Sequence, residues 1–369
     1  MSPEISPLRV LLKALCLFVI INTVYALANP QGVQVSGYNV VFPGRTRLPF
    51  GIRGDPYTVT VDYVDAMFAS HLIAASKGPR EYRIALIGDS SIWGEDLGAY
   101  EVISEQWNNL NIQCGDLQIK AYNLGYPHPS AVKDLIILDK ATEYEPDLII
   151  WFVTLNTLFS QRINPFLLAN RERAIDVVNT YDISLRQRKT LVTEEPSFYD
   201  RTLVGRRSNL ARQIKLEILG IIWTATGSDT NTLAPDAPVD FHVDNDPSFR
   251  TLQPSDDVKP LLQLSALQAG AEIADPIPLL IVNEPIYIVD EAVSQVRYNV
   301  GYPRWVYDQY REAIATQAGN AGWQYLDLWS AIPREYFSDA GLHLSLEGER
   351  LLVQQINPAV QSIACDTKP

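Results

Sequence analysis

The 369-residue sequence is poor in the residues on which several chemistries depend, with three cysteines, four histidines and no basic surplus. Lysine and arginine number 30 against 43 aspartates and glutamates, a formal net charge of −13. That balance argues against a nucleic-acid partner, which needs a basic face for phosphates. It also disfavours electrostatic docking on anionic lipid, and it reads as solubility through self-repulsion. No cysteine and histidine pattern with zinc spacing occurs, and no glycine-rich phosphate loop. The acidic stretch with Asp240, Asp244 and Asp246 lacks the spacing and the glycine of a calcium loop. No metal and no cofactor are therefore expected, and no internal repeat is evident.

What is present begins with an apolar run. Arg9 and Lys13 precede the stretch from Ala14 to Ala28, which only Asn22 and Thr23 interrupt. A basic flank before about fifteen apolar residues has the proportions of a secretory signal, and Ala26-Leu27-Ala28 would serve as a small-x-small cleavage site. Extended back to Val10, the run approaches spanning length and would act as an uncleaved anchor. Both readings place the rest of the chain outside the cytoplasm, because positive charge stays inside. With Cys16 inside the apolar run, Cys114 and Cys365 remain for the exported part. In an oxidising compartment they are expected to pair, tying the tail to the second strand region, with two free buried thiols as the alternative.

Five apolar runs read as buried strands: Arg83 to Asp89, Leu117 to Leu124, Asp147 to Leu155, Pro278 to Glu284 and Trp323 to Leu328. Helical patterns cover Ser130 to Tyr144, Tyr302 to Ala318 and Ser345 to Ile356. The alternation implies βαβ crossovers and a three-layer α/β/α domain on a five-stranded parallel sheet, with ligands at the carboxyl ends of the strands. Residues 1–28 are assigned to the signal or anchor, 29–81 to an N-terminal extension, and 82–369 to the α/β domain. A long insertion at 157–276 separates strands three and four. It has a basic, helix-like part from Leu185 to Trp223 and an acidic, proline-bearing part from Gly227 to Asp257 that reads as loop.

The first strand runs into Gly88-Asp89-Ser90-Ser91, with Trp93-Gly94 just beyond. A serine at such a turn is exposed at the top of the sheet, with the amides of the following helix near any oxyanion formed there. Near the C-terminus, Asp339 precedes His343, which stands just before Ser345-Leu346-Glu347-Gly348 at the opening of the last helix. A histidine held in one tautomer by a nearby carboxylate can take the proton of a serine hydroxyl. Asn123-Leu124-Gly125 ends the second strand and Thr154-Leu155-Asn156-Thr157 the third. Trp93, Tyr298, Arg304 and Trp305 are expected on the rim, suited to stacking on a sugar and to binding hydroxyls or carboxylates. His128 is expected at a helix start, and His71 and His242 have no evident partner in the sequence.

These four blocks resemble the SGNH (GDSL-type) hydrolases, whose blocks carry Ser, Gly, Asn and His. Gly88-Asp89-Ser90 is similar to the first block, Asn123-Leu124-Gly125 to the second, Asn156 to the third, and Asp339 to His343 to the fifth. The resemblance spans about residues 82 to 360 apart from the insertion. It implies a flavodoxin-like SGNH hydrolase fold, with Ser90 as nucleophile, His343 as general base and then acid, and Asp339 as its orienter. It further implies an oxyanion hole from the Ser90 and Gly125 amides and the Asn156 side chain. The implied activity is an extracytoplasmic esterase acting on an acyl ester, carbohydrate-linked or not. The alternatives are an O-acyltransferase for a cell-surface polysaccharide and a non-catalytic binding protein on a degenerate fold. Two departures stand out. The third block usually reads Gly-x-Asn-Asp, and the acid usually stands three residues before the histidine rather than four, which leaves Asp327 as a rival to Asp339.

Overall fold

A computed structural model describes residues 6–29, 44–50, 63–159, 163–183, 197–226 and 242–366, together with residues 185 and 191. Its centre is a sheet of six strands: β1 (Glu81–Ile87), β2 (Gln113–Cys114), β3 (Leu117–Asn123), β4 (Leu148–Val153), β5 (Leu279–Asn283) and β6 (Gln324–Asp327). Their order is β2-β3-β1-β4-β5-β6. All pairings are parallel except β2 with β3. The five strands expected from the sequence thus form a parallel sheet in the flavodoxin-like order, with a sixth, two-residue antiparallel strand added at one edge. That strand has no periodicity to read. It exists because Gly115, at φ 61°, turns the chain back onto β3.

The sheet is covered on both faces, and the strand residues divide between them by alternation. Ala85, Ile87, Ile149, Trp151, Val153 and Ile281 pack in one core. Ile84, Leu86, Leu148, Ile150, Phe152, Leu280 and Val282 pack in the other. The first core takes the helices Ala131–Thr142, Ser265–Ala274 and Arg304–Ala321, which supply Leu135, Leu138, Leu267, Val306 and Ile314. The second takes Ile103–Asn109 and Leu346–Asp366, through Ile103, Trp107, Leu352, Val353 and Ile356. Central strands buried on both sides must be apolar throughout, which is why they read as continuous runs.

The insertion is only partly an overhang. Its helix Arg171–Thr180 buries Ala174, Val177 and Val178 in the first core, and Phe249, Val258 and Leu262 join them. Ser265–Ala274, unrecognised in the sequence, crosses the sheet closely enough for Gly270 to rest on the Trp151 ring. Within the helix-like part expected from Leu185 to Trp223, the described residues form the short helix Phe198–Arg201 and the helix Arg207–Thr226, while 186–190 and 192–196 lie outside them. Residues 227–241, about half of the expected acidic loop, lie outside the described residues, as do 30–43 and 51–62 of the N-terminal extension. From that extension, the backbone of Arg47 bridges Asn123, and its guanidinium reaches the carbonyls of Gly94 and Leu97 at 3.0 and 3.2 Å. Cys114 and Cys365 form a disulfide with Cα atoms 5.2 Å apart, fastening the C-terminal helix to the edge strand. Cys16 is unpaired and exposed.

Candidate active site

The carboxyl end of β1 is built for a sharp turn. A Cβ on Gly88 would lie 2.5 Å from Ile92 Cγ1 and 3.2 Å from Phe152 Cβ, so a side chain there would push the next turn off the sheet. Asp89 caps that turn. Its Oδ1 accepts from the amide of Ser91 at 3.1 Å and from the Ser91 hydroxyl at 3.0 Å. Asp89 and Ser91 are buried, whereas Ser90 between them is partly exposed at the end of the sheet. The helical turn Ser90–Trp93 ends at Gly94 and places Glu95 over the same site.

The histidine arrives from the other end of the chain. Phe337 bridges Leu344 and so closes a small loop. Within that loop Asp339 Oδ1 accepts from the amides of Gly341, Leu342 and His343 at 2.8, 3.0 and 3.1 Å. The other oxygen, Oδ2, stands 2.7 Å from Nδ1 of His343. Nε2 of the same ring stands 2.9 Å from Ser90 Oγ. The one-residue excess between acid and histidine is taken up in this turn, in which three amides gather on one carboxylate oxygen. Asp327 is engaged elsewhere: it accepts from Asn283 Nδ2 at 2.8 Å and from Arg311 at 2.6 Å.

The electrostatics favour a charged imidazole. Burial pulls the His343 pKa down, but the hydrogen bond and charge of Asp339, with Glu95 and Asp89 behind them, outweigh it and raise the pKa to about 9. Glu95 contributes at close range, its Oε2 being 3.4 Å from Nε2. Asp339 moves the other way. Burial raises its pKa, but the bonds from His343 and from the loop amides bring it below the usual carboxylate value.

The residues expected in the oxyanion hole are disposed unequally. Gly125 lies against the turn that bears Ser90: a Cβ there would fall 2.5 Å from Trp93 N and 2.8 Å from Ile92 C. Its amide is directed to Asn123 Oδ1 at 3.0 Å, so in the resting protein this N–H is engaged by a neighbouring side chain. Asn156 sits on the short helix Leu155–Phe159, and its Oδ1 accepts from Arg250 at 3.2 Å. The unusual Thr154 and Thr157 flanking Asn156 serve the turn itself. Each hydroxyl accepts from the other residue's amide, at 3.3 and 3.1 Å, and the two hydroxyls are 3.0 Å apart.

The rim expectation needs correction at two of its four positions. Trp93 is buried, with its indole donating to the Leu48 carbonyl at 2.8 Å and its ring under the Arg47 guanidinium. Tyr298 is buried against Trp329, with its hydroxyl donating to Asp308 at 2.8 Å. Each has its polar tip satisfied inside the protein, so neither offers a face to a ligand. Arg304 and Trp305 are partly exposed, but they bond Gln295 at 3.1 Å and the Pro247 carbonyl at 2.6 Å. His128 precedes the helix Ala131–Thr142 in a left-handed conformation, φ 86°. His71 is buried, and its Nδ1 accepts from the amide of Ile73.

Several groups around the serine escaped sequence reading. Glu95, beside His343, is one, and Arg250, bonded to Asn156, escaped it as well. Glu284 and Glu349 are others, each a fully enclosed carboxyl whose pKa is pushed well above the ordinary range by burial first. Glu284 did carry a signal, since it is a carboxylate that terminates an apolar strand at the carboxyl edge of the sheet. Among the described residues no cluster of metal ligands occurs.

No family model matches the chain, and no curated protein matches it. Among solved structures, it is similar to a member of the lipolytic protein G-D-S-L family from Veillonella parvula DSM 2008, at 10% identity and a TM-score of 0.35, over 75% of this chain and 96% of that one. It is also similar to a carbohydrate acetylesterase family member from Sinorhizobium meliloti, at 12% identity and a TM-score of 0.32, over 76% of this chain and 98% of that one. At such identities and TM-scores these likenesses say nothing about activity, which rests on the side chains described above.

Proposed function

We propose that this chain is an exported serine esterase of the SGNH type that hydrolyses an acyl ester through Ser90, His343 and Asp339. The observation that carries the reading is the unbroken chain from Ser90 Oγ to Nε2 of His343, 2.9 Å, and from Nδ1 to Asp339, 2.7 Å. Nucleophile, base and orienter lie within bonding reach, the geometry that lets an imidazole deprotonate a serine hydroxyl. The free imidazole takes the Ser90 proton as Oγ attacks the ester carbonyl. The imidazolium returns it to the departing alkoxide, and water repeats the cycle on the acyl-enzyme. Asn156 is proposed as a donor to the tetrahedral oxyanion, its acceptor end being taken by Arg250.

Export is supported by the helix Pro7–Ala28, which is 22 residues long and contains an 18-residue window of mean hydropathy 2.2 that is almost unburied. At 1.5 Å per residue it is roughly 33 Å long, close to the bilayer core of about 30 Å. The Cys114–Cys365 disulfide is in keeping with an oxidising compartment.

The test is hydrolysis of a neutral aryl acetate by the full chain in detergent, beside Ser90→Ala. The substitution is expected to remove the activity to within the roughly thousandfold residue that binding and oxyanion donors sustain. A fluorophosphonate should label the wild type at Ser90 alone. An alanine variant with full activity, or labelling at another residue, would overturn the assignment.

A further inference from the structure

Beneath the serine turn lies a hydrogen-bonded group with no part in the steps above. The Ser91 hydroxyl is within bonding distance of two buried carboxyl groups, Asp89 Oδ1 at 3.0 Å and Glu284 Oε2. A hydroxyl has one hydrogen, so it can donate to only one of them. If both acids were ionised, one carboxylate oxygen would face the serine oxygen with no proton between them. That arrangement is strongly unfavourable without solvent.

The surroundings decide which acid keeps a proton. Asp89 Oδ1 accepts from the Ser91 amide as well as its hydroxyl, and Oδ2 lies 3.5 Å from the Thr154 hydroxyl. Glu284 has Ser91 alone, and its Oε1 is buried without a hydrogen-bond partner. The buried Lys133 is committed to Asp134 at 2.6 Å and to the carbonyls of Gly88 and Tyr126 at 2.8 and 2.7 Å, and His343 is paired with Asp339 at 2.7 Å. The other titratable groups acting on Glu284 are Asp89, Asp134 and Glu349. Tyr302 and Tyr310 are also close enough to feel its charge. None of these supplies a positive charge.

We infer that Glu284 is a positioning residue held as the neutral carboxylic acid, which donates Oε2–H to the Ser91 hydroxyl so that Ser91 can donate in turn to Asp89. The resulting chain, Glu284 to Ser91 to Asp89, fixes the cap of the turn whose exposed residue is Ser90. Glu284 follows β5, and its amide donates to the Val153 carbonyl at 3.2 Å. The chain thus fastens the nucleophile's turn to the neighbouring strands rather than to β1 alone. Burial first, and the charge of Asp89 second, push the Glu284 pKa in the direction that keeps the proton.

The esterase reading gives this role its purpose, but the test separates the two. In the full chain at pH 7, the infrared difference between wild type and Glu284→Gln should show the carbonyl stretch of a protonated carboxylic acid. Glutamine can donate from its amide as the acid does, so Glu284→Gln should keep kcat within about threefold. Glu284→Met, similar in size and without a donor, should lower kcat about tenfold or more with little change in KM, as loss of one buried hydrogen bond predicts. A carboxylate band in place of the acid band overturns the inference, as does a folded glutamine variant as slow as the methionine one. If Ser90→Ala kept full activity while the acid band persisted, the esterase reading would fall and the protonated Glu284 would stand.

Discussion

Replacing Glu95 with glutamine removes the carboxylate whose Oε2 stands 3.4 Å from Nε2 of His343 and keeps the side-chain shape. With its pKa at about 9, His343 holds its proton at neutral pH. The free base then amounts to about 1% of the protein at pH 7 by simple titration. Only that fraction can accept a proton from Ser90, so kcat/KM should climb with pH until about 9 and then level off. Glu95 is about half exposed, which calls for a water-like dielectric. A unit charge at that distance is then worth about 1.2 kcal/mol, or about 0.9 of a pKa unit. Glu95→Gln should therefore move the acid limb to about pH 8 and raise kcat/KM at pH 7 about eightfold, with the alkaline plateau unchanged. The assay is the pH dependence of kcat/KM for a neutral aryl acetate, corrected for spontaneous hydrolysis. A limb that stays in place or moves to higher pH would refute the assignment of the titration to His343, and with it the charge balance argued for the site.

Two further outcomes follow from the same geometry. His343 binds its proton more tightly folded than at its ordinary value of 6.5, so its pair with Asp339 stabilises the fold fully below about pH 6.5 and loses that contribution as pH rises through about 9. The Tm of Ser90→Ala should fall across that window, and the fall should be smaller in Ser90→Ala/His343→Gln; equal pH dependence would contradict the linkage. Gly125→Ala sets a methyl 2.5 Å from the backbone nitrogen of Trp93, where no flexible side chain can yield. Urea unfolding should show a loss of about 1–3 kcal/mol or more, and an unchanged midpoint would mean that the turn is looser than described.

What was legible in the sequence follows from how far each feature is fixed locally. The five parallel strands could be read because both of their faces are buried, which leaves long apolar runs such as Leu148–Val153. Ser90 and His343 could be read because each stands at an element boundary beside residues that cap or orient it. The insertion resisted reading because its roles differ by stretch. Ser265–Ala274 is a core helix whose partner, Trp151, lies more than a hundred residues earlier in the chain. Trp93 and Tyr298 were placed on the rim by proximity in sequence to site residues. Their true positions depend on the Leu48 carbonyl and on Asp308, partners that no local pattern reveals. Glu95 and Glu349 belong with them, since a carboxylate in a turn or on a helix gives no sign of whether it meets water or an imidazole.

The two departures from the SGNH blocks point to one physical conclusion. An extra residue between acid and histidine would misdirect the carboxylate if the segment stayed extended. Here the chain coils around Asp339, and one of its oxygens gathers three amides while the other meets the ring. A threonine on each side of Asn156 would be out of place in a bare loop. Here their hydroxyls pair and cap the turn, and the Thr154 hydroxyl lies 3.5 Å from the carboxylate that caps the serine turn. In both cases the local backbone is held by hydrogen bonds that the altered residues themselves supply, so the side chain that matters is delivered without the usual sequence. The same does not hold for Gly125, whose amide is already bonded to Asn123. Any oxyanion stabilisation from that amide requires the bond to be exchanged as charge develops, whereas Asn156 needs no such exchange. For the proposed esterase this predicts that Asn156→Ala costs more turnover than disturbing the Gly125 amide, as kcat on a neutral aryl acetate would show.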